Sequence, residues 1–160
     1  MKKIISTLLL SLICLSLVTG CSKESGILGH AKWEMTKQEL IAAEGKENIV
    51  EGSSDKVLNW LNTEELTVFG DRKVSVGYVF TDDKLSSITV QIFLNEGETL
   101  ADGMKATRTS MEKTYGESEG EDSSCHWHHE QGTIALSTLE GAETFFVATF
   151  SPSVANHSHE

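Results

Sequence analysis

The chain has 160 residues, 39% of them hydrophobic, with 13 basic and 24 acidic side chains and a formal charge of −11. That length fits one ordinary domain and is short for a two-lobed solute-binding protein. A chain this acidic offers no basic face to a phosphate backbone, so charge excludes a nucleic-acid partner and repels an anionic lipid surface.

Lys2 and Lys3 precede an uncharged run of 15 residues from Ile4 to Val18. A membrane-spanning helix needs about 20 apolar residues, so this run is short. A basic flank, a short apolar core and small residues at its end form a secretory signal peptide, expected over residues 1–20. The order Leu17-Val18-Thr19-Gly20-Cys21 resembles the lipobox of bacterial lipoproteins. The resemblance implies cleavage after Gly20 and a diacylglyceryl group on the Cys21 sulfur. The expected location is therefore the extracytoplasmic face of the cell membrane, with lipid as the anchor. Ser22 permits onward export to an outer membrane where the host has one. Two acyl chains hold stably where one is marginal, at about 0.8 kcal/mol per buried methylene.

Residues 21–30, small and polar, read as a flexible tether. Removal of the leader takes two lysines and leaves 11 basic against 24 acidic residues, a formal charge of −13. Of the three cysteines, Cys14 leaves with the leader and Cys21 is the expected lipid site. Cys125 then stands alone, so no intramolecular disulfide can form and the core must support itself.

Residues 31–152 are expected to be one α+β domain, with 153–160 a frayed tail. Thr36 and Glu39 have capping-box spacing and Gly45 a stop, which predicts a helix over 36–44. VLNWL (57–61) and LTVFG (66–70) read as short strands. Val74, Val76, Tyr78 and Phe80 alternate with Ser75, Gly77 and Thr81, and Ile88, Val90, Ile92 and Leu94 recur at the same period. This predicts a hairpin of 73–81 and 85–94 turning at Asp82-Asp83. Leu100, Met104, Met111 and Tyr115 form a helical stripe, closed by Gly116. An acidic linker, 117–124, leads to CHWHHE. Ile134, Leu136 and Leu139 are assigned to one strand and Phe145–Phe150 to the last. Helix then strands, twice over, favours helices packed on one face of an antiparallel sheet, in two tandem halves.

Trp33-x-Met35-Thr36, the G-x-x-x-V-x-V-x-Y-x-F-x-D-x-K-L run from Gly70 to Leu85, Lys113-Thr114-Tyr115-Gly116, and Trp127 before Thr133-Ile134-Ala135-Leu136 carry a second resemblance. They are similar to small bacterial lipoproteins of the β-lactamase-inhibitor-protein and SmpA/OmlA-like group. The resemblance covers most of 33–150 and departs at Glu34, where glycine is commoner. It implies helical segments on an antiparallel sheet and protein–protein contact through the exposed sheet face. It carries over no catalytic residue.

The chemistry-bearing stretch is CHWHHE. On a strand, His126 and His128 share one face, and Cys125, Trp127 and His129 the other. Two imidazoles on one face can hold one zinc or copper ion, with His157 and His159 of the tail as further ligands. The alternative is a half-buried strand with Trp127 in the core. Cys125 and His126, being adjacent, point apart and make a poor nucleophile–base pair. The acids of 117–122 and Asp82-Asp83 lack the alternating pattern of a calcium loop. Phosphate-loop, zinc-protease, serine-elbow and dinucleotide motifs do not occur.

The expected function is a non-enzymatic, lipid-anchored binding module that takes a protein partner, with Trp60, Tyr78 or Trp127 as candidate anchors. The alternatives are a metal-binding lipoprotein using His126 and His128, and an inhibitor of an extracellular enzyme. No cofactor beyond the lipid on Cys21 is expected.

Overall fold

The computed structural model describes residues 27–61 and 63–153. The leader, Cys21, His157 and His159 lie outside the described residues. The elements run α1 (Lys37–Glu44), β1 (Ile49–Glu51), β2 (Val57–Trp60), β3 (Val74–Thr81), β4 (Lys84–Phe93), α2 (Leu100–Tyr115), β5 (Glu119–Glu121), β6 (Ser124–His129), β7 (Gly132–Ser137) and β8 (Phe145–Ser151). The class is α+β with the sheet predominating.

Both helices start and stop where their end residues dictate. The Thr36 hydroxyl accepts from the Glu39 N–H, and the Glu39 carboxylate accepts from the Thr36 N–H at 2.8 Å. Thr99 caps α2 in the same way, accepting from the Asp102 N–H at 3.2 Å. Each cap satisfies backbone donors that have no partner inside the helix. Gly45 and Gly116 end the helices at φ +90° and +84°. Asp82 and Asp83 turn the β3–β4 hairpin with φ +51° and +61°, a two-residue turn that favours residues tolerant of the left-handed region.

Eight strands form one antiparallel sheet in the order β1-β2-β3-β4-β8-β7-β6-β5. Each half contributes a four-strand meander, and the two last strands, β4 and β8, meet at the centre. One sheet face is buried. A register row of Leu58, Tyr78, Ile88, Phe150, Ile134 and Trp127 crosses it from β2 to β6, all six in the core. Glu44 of α1 reaches this face through the Tyr78 hydroxyl, and Gly103 of α2 lies against the Phe146 ring. A bidentate ion pair joins the halves: Arg72, before β3, donates to both Glu98 oxygens at 2.5 Å, ahead of α2.

Four expectations are corrected. Residues 66–70 are not a strand. Thr67–Phe69 is a 3₁₀ turn closed by Gly70 at φ +76°, which drops Phe69 into the core edge-on to Phe150. The acidic linker is not a linker throughout, because Glu119–Glu121 pairs with β6 as an edge strand. Leu139 lies beyond β7 and is exposed. The tether does not reach residue 30. Ile27 and Leu28 pack on the core, and the His30 N–H donates to the buried Glu44 carboxylate at 2.8 Å. Glu34 has φ +65°, a left-handed backbone conformation that glycine adopts without strain.

Candidate functional site

The second sheet face is built by the same alternation that buries the first. A register row crosses all eight strands on this side: Val50, Asn59, Gly77, Thr89, Thr149, Ala135, His126 and Glu119. From Gly77 to His126 these positions are half-exposed. The row is small and hydroxyl-rich in its middle, so the face is nearly flat there. At one end of the two central strands stand Phe93 and Phe145. They are register partners, half-buried, with ring centroids 6.2 Å apart. Val147 and Gln91 pair beside them. This places an aromatic pair on the half-exposed face where the two halves join.

The expected anchors are elsewhere. Trp60, Tyr78 and Trp127 all belong to the core. Trp127 Nε1–H donates to the Gly116 carbonyl at 2.9 Å, so both its ring and its one polar atom are satisfied internally. The Tyr78 hydroxyl donates to Glu44 at 3.2 Å, and burial pushes its pKa up, the nearby carboxylate adding to the shift. Chain alternation places Tyr78 and Phe93 on opposite faces, and the even spacing of Tyr78 with Val74, Val76 and Phe80 signals its core side. No comparable signal marks Phe93, which follows the last core residue of its strand, or Phe145, which opens one.

Strand β6 presents its residues as the alternation requires. Cys125 and Trp127 are buried, while His126 and His128 face out. The Cys125 thiol is 1% exposed and burial raises its pKa, so it is a packed apolar group, and the pairing with His126 as nucleophile and base is geometrically broken. His129 turns instead to the Tyr115 ring, centroids 5.8 Å apart. The structure does bring His126 and His128 together, edge to face with ring centroids 5.1 Å apart. It adds Glu119 of β5, whose Oε2 lies 3.5 Å from His126 Nε2. Glu119 carries no local signal of this, since residues 117–124 have the composition of an acidic linker.

No known protein family, curated protein or solved structure matches the chain. The functional reading therefore rests on the residues and their arrangement.

Proposed function

We propose that the chain is an exported lipoprotein, anchored by a diacylglyceryl thioether on Cys21, that works as a non-enzymatic interaction module. Its half-exposed sheet face, with Phe93 and Phe145 at one end of the central strands, takes a protein partner. In this reading α1 and α2 form a layer over the buried face and leave the other free. The contacts of Glu44 with Tyr78 and of Gly103 with Phe146 support that layering.

The observation that carries the reading is the aromatic pair on the half-exposed face. Aromatic side chains bury large areas at little entropic cost, which is why they dominate interface energetics. Farther along the same face Gly77, Thr89, Thr149 and Ala135 keep the middle of the sheet low, which lets a partner approach the backbone closely. The membrane part rests on the lipobox-like segment. Among the described residues no helix is long and apolar enough to cross a membrane.

Mass spectrometry of the membrane fraction tests the anchor. The expected product begins at Cys21 and carries at least two acyl chains, and Cys21→Ser releases the protein from membranes. A Cys21→Ser chain that still sediments with membranes contradicts the anchor. Phe93→Ser with Phe145→Ser tests the face, with loss of partner capture expected and no loss of folding.

A further inference from the structure

We propose that Glu119, His126 and His128 bind one divalent transition-metal ion of the zinc class, at the outer end of the half-exposed face. This site is independent of the docking reading. Period-two alternation puts both imidazoles on one side of β6. The β5–β6 register sets Glu119 directly opposite His126. One ligand atom from each of the three residues lies within 4.8 Å of the other two.

Bonds of about 2.0–2.2 Å to nitrogen and oxygen place neighbouring ligand atoms about 3–3.5 Å apart. The His126–Glu119 pair is already at 3.5 Å. His128 and Glu119 are exposed, so rotation about their side-chain bonds closes the remaining gap without disturbing the core. Two imidazole nitrogens and one carboxylate oxygen suit zinc, copper or nickel. Magnesium and calcium take oxygen ligands and are disfavoured. Three protein ligands leave a coordination position for water or for a donor from another molecule. Cys125 supplies no thiolate, because it is buried on the opposite face.

A bare surface contact is the competing account of the cluster. An exposed ion pair is worth only about 0–1 kcal/mol, so it gives little reason for three ligand-type side chains to converge. The opposite end of the same row shows the contrast. There the paired positions are Val50 and Asn59, which offer no ligand set. Among the described residues this cluster is therefore expected to take one ion.

The test uses the full chain in detergent, without a polyhistidine tag, titrated with zinc against a chromophoric chelator. One equivalent should bind. His126→Ala with His128→Ala should weaken binding by well over tenfold, and Glu119→Gln by about tenfold, in line with the tenfold or greater cost of disturbing a metal site. His157→Ala with His159→Ala should leave it unchanged. With cobalt in place of zinc, visible d–d bands should appear without a thiolate charge-transfer band. Failure of the full chain to bind zinc overturns the proposal. So does wild-type affinity in the His126/His128 double variant, or loss of binding in the His157/His159 variant alone.

Discussion

The first half of the chain, residues 37–93, and the second, 100–151, each run from a capped helix into a four-strand antiparallel meander. They differ in what that plan carries. Helix α1 spans 8 residues and buries Leu40 and Glu44, whereas α2 spans 16 and buries Gly103, Met104, Thr107 and Met111. The first half buries the Glu44 carboxylate, which accepts from the Tyr78 hydroxyl and from the backbone N–H of His30 ahead of α1. The second half buries Trp127, at the far end of the core row from Leu58. On the half-exposed face the contrast reverses: the β1–β2 end carries Val50 and Asn59, and the β5–β6 end carries Glu119, His126 and His128. Antiparallel register fixes which positions share a row, and residue type then decides whether an end gathers ligand-type side chains or not.

The largest effect expected from breaking this comparison is in the second half's core. Trp127→Ala should cost about 3–5 kcal/mol, because it opens a cavity in the core. Leu58→Ala at the other end of the same row removes less volume and should cost about 2–3 kcal/mol. Denaturant midpoints measure both, and equal costs would remove the asymmetry between the halves.

The link between the halves comes next. Arg72 is 5% exposed and packs over the Phe146 ring as well as pairing with Glu98. Arg72→Ala leaves Glu98 with only the Asn95 N–H and no counter-charge, and should cost about 3 kcal/mol. The hydrogen bonds from Arg72 hold the Glu98 carboxyl below the usual glutamate range. A carboxyl with a depressed folded pKa stabilises the fold above its unfolded pKa and loses that contribution as pH falls through the folded value. Stability should therefore fall on acidification below about pH 4, the ordinary glutamate value, in the wild type, and less steeply in Arg72→Ala. Thermal melts between neutral and acid pH check the sign.

Two smaller effects sharpen the first half. Tyr78→Phe removes the hydroxyl's bond to Glu44 and should cost about 1–2 kcal/mol. Glu34→Gly relieves a left-handed backbone at φ +65°, partly offset by the freedom glycine adds to the unfolded chain. It should raise stability by up to about 1 kcal/mol, and a loss would show that the Glu34 side chain does more than occupy a strained turn.

Much of this architecture was legible from the residues. Thr36 with Glu39, the Thr99 to Gly116 stripe and the alternation from Val74 to Ile92 each carried a local signal that survived folding, because cap, period and core agree there. The edge strands were not legible. β1 and β5 are three residues long, and Glu119-Gly120-Glu121 has no apolar side at all. Its strand identity comes from its β6 partner, which no local pattern announces. For the same reason His126 and His128 could be read as a pair while Glu119 could not. Trp60, Tyr78 and Trp127 read as candidate anchors because large aromatics fit a core and an interface equally well, and the folded sheet puts all three in the core.

Photo-crosslinking in intact cells tests the central claim most directly, with a benzophenone side chain in place of Gln91, beside the Phe93–Phe145 pair, or in place of Gln38 on the exposed side of α1. A discrete covalent adduct from position 91 with none from position 38 is the predicted result. Adducts from position 38 alone, or the same pattern from both, would contradict the assignment of the sheet face as the surface this protein presents.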